Sequence, residues 1–504
     1  MANSRIVIDH DFTVGPVNPR LFGSFVEHLG RCVYDGLYEP GHPLADENGF
    51  RSDVIHLVKE LGITTIRYPG GNFVSGYRWE DGVGPKDQRP RRLDLAWHSI
   101  ESNQFGLDEF AKWTEAVNSE VMLAVNLGTR GLENAIELLE YANVRTGTTV
   151  SEQRAANGHP EPYGVKMWCL GNEMDGPWQI GHKTADDYGK LAAQVARSMR
   201  KTDGSIELVA CGSSNREMPT HGEWERVVLE HTYDLVDYIS CHAYFEEQDG
   251  DLLSFLASGT QMDDFIKEVV AAIDHVKSLK RTDKTVNISF DEWNIWYRSH
   301  YPKATRPNGV DEWGVVPRLL EDVYTVADAV AFGGLMITLL RNADRVTSAS
   351  LAQLVNVIAP IMTEPGGPSW RQTTFFPFAQ ASALGRGEAL QVKITSPSHS
   401  TDRYGEVSTI DAVATYDAAR NATTVFAVNR GNTETVDLDI VLRGDLMAAT
   451  VTATTLSDDD VYAANTLSAP ERVTPQANDT AAISGSSVTV SLPPVSWTVI
   501  DIRH

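Results

Sequence analysis

The sequence predicts an α/β protein: a (β/α)8 TIM barrel followed by a C-terminal antiparallel β-sandwich. Short apolar runs alternate with amphipathic helical stretches from about residue 20 to residue 375. This alternation stops near residue 380, and only Val/Thr-rich runs between turn residues follow. We therefore expect an N-terminal strand that joins the sandwich (1–18), a barrel (19–378) and the sandwich itself (379–504).

Eight apolar segments fit the barrel strands. Several carry β-branched residues on both faces, as expected for parallel strands that are buried on both sides. A doubly wound sheet is the alternative, but no candidate strand is followed by a glycine-rich phosphate-binding turn. The predicted strands are Leu21–Val26, Ile63–Tyr68, Val121–Leu127, Val165–Leu170, Ile206–Cys211, Val236–Cys241, Val286–Phe290 and Leu335–Leu339.

The segments between these strands have helical periodicity. Thr184 and Asp187 have the spacing of a capping box, which opens one helix. Three other segments place apolar residues at the spacing of one helix face. Those residues are Val54, Leu57, Val58 and Leu61; Ile266, Val269, Val270, Ile273 and Val276; and Leu319, Val323, Val326 and Val330.

Six runs after residue 380 are predicted to be strands of the sandwich. Arg5–Ile8 is expected to add a strand to it, and Ser457–Ser487 is predicted to be a long loop. The predicted strands are Ala412–Tyr416, Thr423–Val428, Thr435–Val441, Ala449–Leu456, Val488–Leu492 and Val495–Ile502.

Composition excludes several classes of function. The 504 residues include 43 Lys and Arg against 68 Asp and Glu, and the net charge of −25 argues against nucleic acid or an anionic membrane as partner. The sequence has no membrane-length apolar run and no signal peptide, so we expect a cytoplasmic protein. It also contains no HExxH, GxxxxGK[ST], GxGxxG or GxSxG motif, and we expect neither a metal nor another cofactor.

Polar residues follow the predicted strands at the end where a TIM barrel carries its reactive side chains. They include glutamates, asparagines, an arginine, histidines and aromatic residues. Such a set suits a neutral polyhydroxylated ligand, because carboxylates and amides bind hydroxyl groups and aromatic faces cover a sugar ring. The segments are Ser24–Gly30, Arg67–Phe73, Asn126–Gly128, Met167–Glu173, Ser240–Tyr244 and Phe290–Asn294.

Glu173 and Glu292 are the candidate catalytic pair. They end the fourth and seventh predicted strands, nearly opposite each other across the barrel. Cleavage of a glycosidic bond needs one carboxyl group to protonate the leaving oxygen and another to face the developing oxocarbenium ion. A single glutamate at a strand end can equally cap a loop, but aromatic neighbours (Trp168, Trp293 and Trp296) make an idle carboxylate costly here.

Four neighbouring side chains are candidates for supporting roles. The Asn172 amide is placed to bind a sugar 2-hydroxyl. Arg67 either holds a carboxylate ionised or forms an ordinary ion pair. His242 is expected to orient a neighbour rather than act as an acid, and Tyr244 either donates to the nucleophile or packs.

Together these motifs resemble glycoside hydrolase family 51, the intracellular-type α-L-arabinofuranosidases of clan A, over nearly the whole chain. A lone Asn-Glu dipeptide would be weak support, but the motifs occur in order on the predicted strands. The matching stretches are Phe22–Gly30, Arg67–Tyr77, Trp79–Pro85, Arg91–Trp97, Trp168–Trp178, Asp291–Asn294 and Ala352–Val357.

The resemblance implies a retaining mechanism, with Glu173 as acid/base and Glu292 as nucleophile. It also implies a homo-oligomer, often a hexamer in this family. Arg78 and Phe245 depart from the family pattern, which commonly has Asn and Tyr there, and are expected to affect subsite detail only. The residues that match sugar-binding positions are Glu27, Asn72, Asn172, Tyr244 and Gln353, with Trp97 near the aglycone side.

The expected function is exo-acting removal of terminal non-reducing α-L-arabinofuranosyl residues from arabinan, arabinoxylan and their oligosaccharides. The sequence leaves open whether α-1,2, α-1,3 or α-1,5 bonds are preferred. One alternative is a β-glycosidase or endo-glucanase on the same barrel. Another is a carbohydrate-binding protein without catalysis, although both carboxylates together with Asn172 and Arg67 argue against it.

Overall fold

The computed structural model describes residues 2–301, 313–444, 447–485 and 487–504. None of the helices in these ranges is both long and apolar enough to cross a membrane. The α-helices are α1 (Ser52–Leu61), α2 (Leu107–Val117), α3 (Leu132–Asn143), α4 (Thr149–Ala156), α5 (Ala185–Thr202), α6 (Glu223–Thr232), α7 (Leu252–Leu256), α8 (Gly259–Lys280), α9 (Val326–Arg341) and α10 (Phe375–Leu384).

The strands fall into a barrel, a large sheet and three hairpins. They are β1 (Ala2–Pro16), β2 (Gly23–Phe25), β3 (Thr65–Tyr68), β4 (Arg92–Asp94), β5 (Ser99–Glu101), β6 (Glu120–Ala124), β7 (Met167–Leu170), β8 (Glu207–Ala210), β9 (Tyr238–Phe245), β10 (Asn287–Ile295), β11 (Val346–Leu351), β12 (Ile361–Thr363), β13 (Ser369–Arg371), β14 (Glu388–Thr395), β15 (Ser398–Thr401), β16 (Gly405–Ser408), β17 (Ile410–Asp417), β18 (Ala422–Asn429), β19 (Val436–Arg443), β20 (Thr450–Leu456), β21 (Gln476–Ala477), β22 (Ala482–Ser484), β23 (Ser487–Leu492) and β24 (Ser496–Arg503).

Eight parallel strands close the barrel in the order β2-β3-β6-β7-β8-β9-β10-β11. Alternate residues of these strands face inward, and Met122, Ala124, Met167, Cys169 and Val209 belong to one buried apolar cluster. The opposite faces pack against the surrounding helices in the main core. The predicted (β/α)8 barrel is therefore confirmed.

Two of the predicted helices have the expected features. Val54, Leu57, Val58 and Leu61 are the buried residues of α1, and Gly62 ends this helix with a left-handed backbone, φ +77°. Thr184 caps α5, because its hydroxyl accepts a hydrogen bond from the Asp187 amide at 3.2 Å.

The eighth predicted strand is wrong. Leu335–Leu339 lies inside α9, and the eighth barrel strand is β11. Helix α9 contacts the barrel strand β10 on one side and the large sheet on the other, so all its residues from Val326 to Leu340 are buried. A helix that is apolar all round cannot be told from a buried strand by periodicity. The apolar stripe predicted from Leu319 to Val330 also begins too early, because Leu319 and Val323 precede α9.

The other region is a separate, mostly antiparallel sheet of ten described strands in the order β21-β20-β24-β18-β17-β14-β1-β19-β23-β22. Strand β1 pairs antiparallel with β14 and parallel with β19, so the N-terminal segment lies inside this sheet. The six predicted strands correspond to β17, β18, β19, β20, β23 and β24. The sequence prediction missed β14, the hairpin β15–β16, and the short strands β21 and β22 within the predicted loop Ser457–Ser487.

Candidate active site

A cavity of about 620 Å³ opens at the C-terminal ends of the barrel strands. Three predicted residues, Arg67, Asn172 and His242, do not line this cavity but are buried beside it. Arg67 donates hydrogen bonds to Glu292 and Asn172, and His242 is hydrogen-bonded to Glu173. The structure thus brings all ten predicted site residues together. Those that line the cavity are Glu27, Asn72, Trp97, Glu173, Tyr244, Glu292 and Gln353.

Glu292 lies at a bulge in β10. The register of β10 against β9 shifts between Ser289 and Glu292. Consecutive residues of a regular strand point to opposite faces, but an extra residue breaks that alternation. As a result Asp291 and Glu292 are both buried and both approach Arg67. The bulge therefore puts two neighbouring carboxylates into one end of the barrel.

Arg67, at the end of β3, is a buried cation beneath the cavity. Its Nη1 donates to Glu292 Oε1 at 2.7 Å and its Nη2 donates to Asn172 Oδ1 at 2.5 Å. Its Nε lies 3.9 Å from Asp291 Oδ2. Burial opposes the charge on Arg67, but the charges of Asp291 and Glu292 outweigh burial and raise its pKa. One guanidinium group thus orients both Glu292 and the amide of Asn172.

The second oxygen of Glu292 is held by Tyr244. The Tyr244 hydroxyl donates to Glu292 Oε2 at 2.8 Å, and the ring of Trp296 packs edge-on against Tyr244 at 5.0 Å between centroids. Burial, followed by the charge of Glu292, raises the pKa of Tyr244 well above its usual value of about 10. Tyr244 therefore stays a hydrogen-bond donor, and both oxygens of Glu292 are fixed.

Glu173 lies three residues beyond the end of β7 in a strained turn. Its backbone is left-handed at φ +42°, which costs a residue other than glycine about 1–2 kcal/mol. Its Oε1 lies 2.9 Å from His242 Nδ1, and its Oε2 accepts from Trp178 Nε1 at 2.6 Å. The turn thus brings the carboxyl group to the cavity wall.

His242 connects the carboxylates of the site. Its Nδ1 lies 2.9 Å from Glu173 Oε1 and 3.6 Å from Glu292 Oε2, and its Nε2 lies 3.0 Å from Asp291 Oδ1. Burial favours the neutral ring, but the surrounding carboxylates outweigh burial and raise the pKa of His242 to about 10. A protonated His242 donates from both nitrogens and fixes Glu173 relative to Asp291.

These side chains also resemble a metal-binding group. One donor atom each from Glu173, His242 and Glu292 lie within 4.8 Å of one another, and no other such group occurs in the part of the chain that the structure describes. However, these groups already have partners: His242 Nδ1 lies 2.9 Å from Glu173 Oε1, and the two oxygens of Glu292 accept from Arg67 and Tyr244. The donor set therefore fits a carboxylate pair held by a cation better than it fits a metal centre.

Glu27 occupies another wall of the cavity. Its Oε1 accepts from the Phe73 amide at 2.9 Å and from Trp97 Nε1 at 3.0 Å, and its Oε2 accepts from Gln353 Nε2 at 3.0 Å. Burial raises the pKa of Glu27 to about 8, and repulsion from Glu292 adds to the effect of burial. Glu27 thus holds two predicted sugar-binding residues, Trp97 and Gln353, in fixed positions.

Two glycines let the loop after β3 approach the carboxylates. A Cβ on Gly71 would lie 2.9 Å from Glu292 Oε1 and 3.4 Å from Asn172 Nδ2. Gly70 has φ +149°, and a Cβ there would overlap the side chain of Glu27. Gly70 is therefore strained by any side chain, and a Cβ at Gly71 would have to displace the Glu292 carboxylate. The close approach brings Asn72 to the cavity.

The structure corrects the predicted aromatic surroundings. Trp168 and Trp293 are fully buried in the core outside the barrel, because each alternates with an inward-facing neighbour. Trp296 does line the cavity. Arg78 is exposed and is not among the lining residues, whereas Phe245 is one of them.

Sequence reasoning assigned no role to Asp291 or Trp178. Asp291 directly precedes Glu292, so strand alternation would turn it away from the site. Trp178 ends the Trp168–Trp178 motif, but only the turn at Glu173 brings its indole to that carboxyl group. Both residues lie within the motifs, but no sequence pattern indicates that they reach the site. Their positions follow only from the bulge in β10 and the turn at Glu173.

Two family models match the chain. Residues 57–264 match the alpha-L-arabinofuranosidase 1 domain, and residues 291–496 match the alpha-L-arabinofuranosidase C-terminal domain.

Individual relatives match over the whole length. An exo-alpha-(1->6)-L-arabinofuranosidase of Bifidobacterium longum is 60% identical over 100% of this chain and 98% of its own. An intracellular exo-alpha-(1->5)-L-arabinofuranosidase of Streptomyces lividans is 57% identical over 99% of this chain and 75% of its own. The solved structure of a family 51 alpha-L-arabinofuranosidase from Bifidobacterium longum has a TM-score of 0.95 at 50% identity, covering 100% of both chains. The chain therefore belongs to the α-L-arabinofuranosidases of glycoside hydrolase family 51.

Proposed function

We propose that the protein is a retaining, exo-acting α-L-arabinofuranosidase. It hydrolyses terminal non-reducing α-L-arabinofuranosyl residues of arabinan, arabinoxylan and their oligosaccharides. The observation that carries this proposal is the spacing of Glu173 and Glu292, whose nearest donor oxygens lie within 4.8 Å. Retaining pairs are about 5–5.5 Å apart, whereas inverting pairs are about 6.5–9.5 Å apart to admit a water molecule.

In the first step Glu292 attacks the anomeric carbon of the arabinofuranosyl unit. Arg67 and Tyr244 hold one oxygen of Glu292 each, so the carboxylate is oriented before substrate arrives. Glu173 gives its proton to the glycosidic oxygen as the bond from the anomeric carbon to that oxygen breaks. The aglycone leaves as an alcohol, and the sugar stays bound to Glu292 through an ester.

In the second step the ionised Glu173 takes a proton from a water molecule, and the resulting nucleophile breaks the ester. Glu292 is released as a carboxylate and Glu173 regains its proton. His242 keeps Glu173 in position through both steps, because it is hydrogen-bonded to that residue and to Asp291. Two inversions at the anomeric carbon give overall retention.

The sugar hydroxyls are bound by the polar walls. The buried Oε1 of Gln353 has no hydrogen-bond partner among the described residues, so it is available to a ligand hydroxyl. Asn172, oriented by Arg67, suits the 2-hydroxyl, a contact that strengthens in the transition state. Glu27 and Asn72 complete the set, and Trp97 faces the aglycone side.

The names of the relatives sharpen the proposed substrate. Two of them are named for α-(1→5) and α-(1→6) bonds. The 5-hydroxyl of a pentofuranose and the 6-hydroxyl of a hexopyranose are both primary alcohols. We propose that this chain likewise prefers arabinofuranosyl units on a primary hydroxyl of the acceptor sugar to those on the secondary hydroxyls of xylose in arabinoxylan.

We propose a cytoplasmic location, since several relatives are named intracellular. We also propose a homo-oligomer, a hexamer by family resemblance, which light scattering can test. Residues 1–18 and 379–504 would form one domain and residues 19–378 the other. The large sheet would fold into two layers, since β20 near one end of its order contacts β22 and β23 at the other.

Proton NMR of the first product tests the mechanism. Because the carboxyl groups are too close for an intervening water, early spectra should contain the α-anomer of arabinofuranose before mutarotation. Initial β-anomer would contradict the role of Glu292. A panel of nitrophenyl glycosides run in parallel separates this function from that of a β-glycosidase. Turnover of none of the panel would favour a binding protein.

A further inference from the structure

A hairpin outside both large sheets lies against the mouth of the barrel. Strands β15 and β16 pair only with each other among the described strands, and their turn carries Arg403 and Tyr404. The Arg403 amide donates to Ser254 Oγ at 3.2 Å, and the Tyr404 hydroxyl donates to Gln261 Oε1 at 3.0 Å. The hairpin turn is therefore fixed to the barrel by hydrogen bonds to two different segments.

The turn closes a small polar cavity of about 30 Å³ that adjoins the active-site cavity. Arg403 and Tyr404 line only the small cavity. The residues that line both cavities are Glu217, Tyr244, Phe245, Gln261 and Arg298. One of these, Tyr244, is bonded to Glu292, so the small cavity begins one side chain away from the proposed nucleophile.

The five residues that line both cavities form a shared wall, and the chemistry of this wall suits hydroxyl groups. It offers a carboxylate, an amide, a guanidinium group and a phenol, which together donate and accept hydrogen bonds. Arg298 is an exposed residue that lines both cavities, so its guanidinium group can donate to a bound ligand. The cavity holds about two water molecules. It therefore accommodates hydroxyl or hydroxymethyl groups of a sugar whose ring lies in the outer part of the larger cavity.

We propose that the hairpin turn completes a subsite for the acceptor sugar, the unit that follows the scissile bond in an oligosaccharide. This inference rests on the proposed function, because it places the arabinofuranosyl unit at Glu173 and Glu292. Gln261, held by Tyr404, and Arg298 bind the acceptor hydroxyls. A segment of the C-terminal region thereby sets the preference for oligosaccharides over simple aryl glycosides.

The test compares two substrates in three variants of the full chain. Arabinotriose fills the acceptor subsite with sugar, whereas nitrophenyl arabinofuranoside places an aromatic ring there. Arg298→Ala should lower kcat/KM for arabinotriose about tenfold more than for the nitrophenyl substrate, mainly through KM. Tyr404→Phe, which frees Gln261, should cause a smaller loss of the same kind.

Tyr462→Phe is the matched control. Its hydroxyl also donates to a barrel residue, Glu247, at 3.0 Å, but Tyr462 lines neither of the two cavities. The control should leave the ratio of the two kcat/KM values unchanged. If Arg298→Ala and Tyr404→Phe leave the ratio of kcat/KM for arabinotriose to kcat/KM for the nitrophenyl substrate unchanged, the subsite is overturned. The proposed function would remain intact in that case. Failure of the wild-type protein to cleave the nitrophenyl substrate would instead count against the proposed function.

Discussion

The two ends of the barrel carry similar side chains in different arrangements. At the N-terminal end, Arg20 donates to both oxygens of Glu120 at 2.6 and 2.7 Å and to Glu207 at 2.6 Å, and Tyr238 donates to Glu207 at 3.0 Å. At the C-terminal end an arginine and a tyrosine again hold a carboxylate. There, however, the group opens onto a cavity of about 620 Å³.

Carboxylates exceed cations by one at both ends, and the difference lies in how deeply the charges are buried. The N-terminal group sets one arginine against two partly exposed carboxylates, each directly paired with it. The C-terminal group contains three buried carboxylates, Glu173, Asp291 and Glu292, around Arg67 and His242. Buried carboxylates in excess of fixed cations indicate use rather than stability. This agrees with the general separation of catalysis and stability between the ends of such barrels.

The strongest test removes one carboxylate from each end. Glu292→Ala should abolish turnover of nitrophenyl arabinofuranoside, a loss of more than about 10⁴-fold, because the covalent route disappears. Glu207→Ala should leave kcat/KM within about twofold and should lower stability by about 1 kcal/mol, since an exposed pair contributes little. Enzyme assays and urea unfolding of both variants measure these effects. Comparable activity losses at the two ends would contradict the comparison.

Glu173→Ala separates the roles of the two carboxylates at the C-terminal end. Loss of general acid help should cost about 10²–10⁴-fold for a poor leaving group. An activated aryl substrate needs little such help, so the glycosyl-enzyme should form and then accumulate. Azide needs no base and should rescue this variant, giving an arabinosyl azide of retained configuration by NMR. Azide product of retained configuration from Glu292→Ala, with inverted product from Glu173→Ala, would instead reverse the assignment.

Gly71→Ala tests how closely the C-terminal end is packed. The added Cβ would lie 2.9 Å from Glu292 Oε1 and displace the carboxylate. A displacement of about 1 Å costs about 10²-fold in kcat/KM. Gly41→Ala is the matched control, because a Cβ there meets nothing within 4 Å. Activity assays on both variants should differ accordingly. Equal activity in the two would mean that Glu292 tolerates displacement.

The last prediction concerns stability instead of activity and is a pH dependence. The pKa of His242 is about 10 in the folded protein and about 6.5 when unfolded, so its contribution is complete below about pH 6.5. The contribution is lost as pH rises through about 10, at no more than about 1.4 kcal/mol per pH unit. Urea unfolding between pH 7 and 10 should therefore show a flatter profile for His242→Gln than for the wild type. Glu207→Gln, at the other end, should keep the wild-type slope, and equal slopes in all three proteins would contradict this role for His242.

Most of the fold could be predicted because the barrel strands and their helices have clear periods. The predicted strand at Leu335–Leu339 failed where tertiary contacts cover every face of α9. Strand β14 was missed although exposed Gln391, Lys393 and Thr395 alternate with Val392 and Ile394, which pack against the apolar cluster of the large sheet. Periodicity reports how many faces an element buries, and it loses its meaning when all faces are covered.

By itself the sequence determined which residues meet at the C-terminal end of the barrel, because successive parallel strands bring their ends to one rim. That is sufficient to single out Glu173 and Glu292. Only the tertiary structure decided how these residues are held. The bulge that turns Asp291 inward depends on the register of β10 with β9. The pKa of His242 is raised by carboxylates that lie on other segments of the chain. Register and electrostatic environment arise between distant parts of the chain, so no local pattern can encode them.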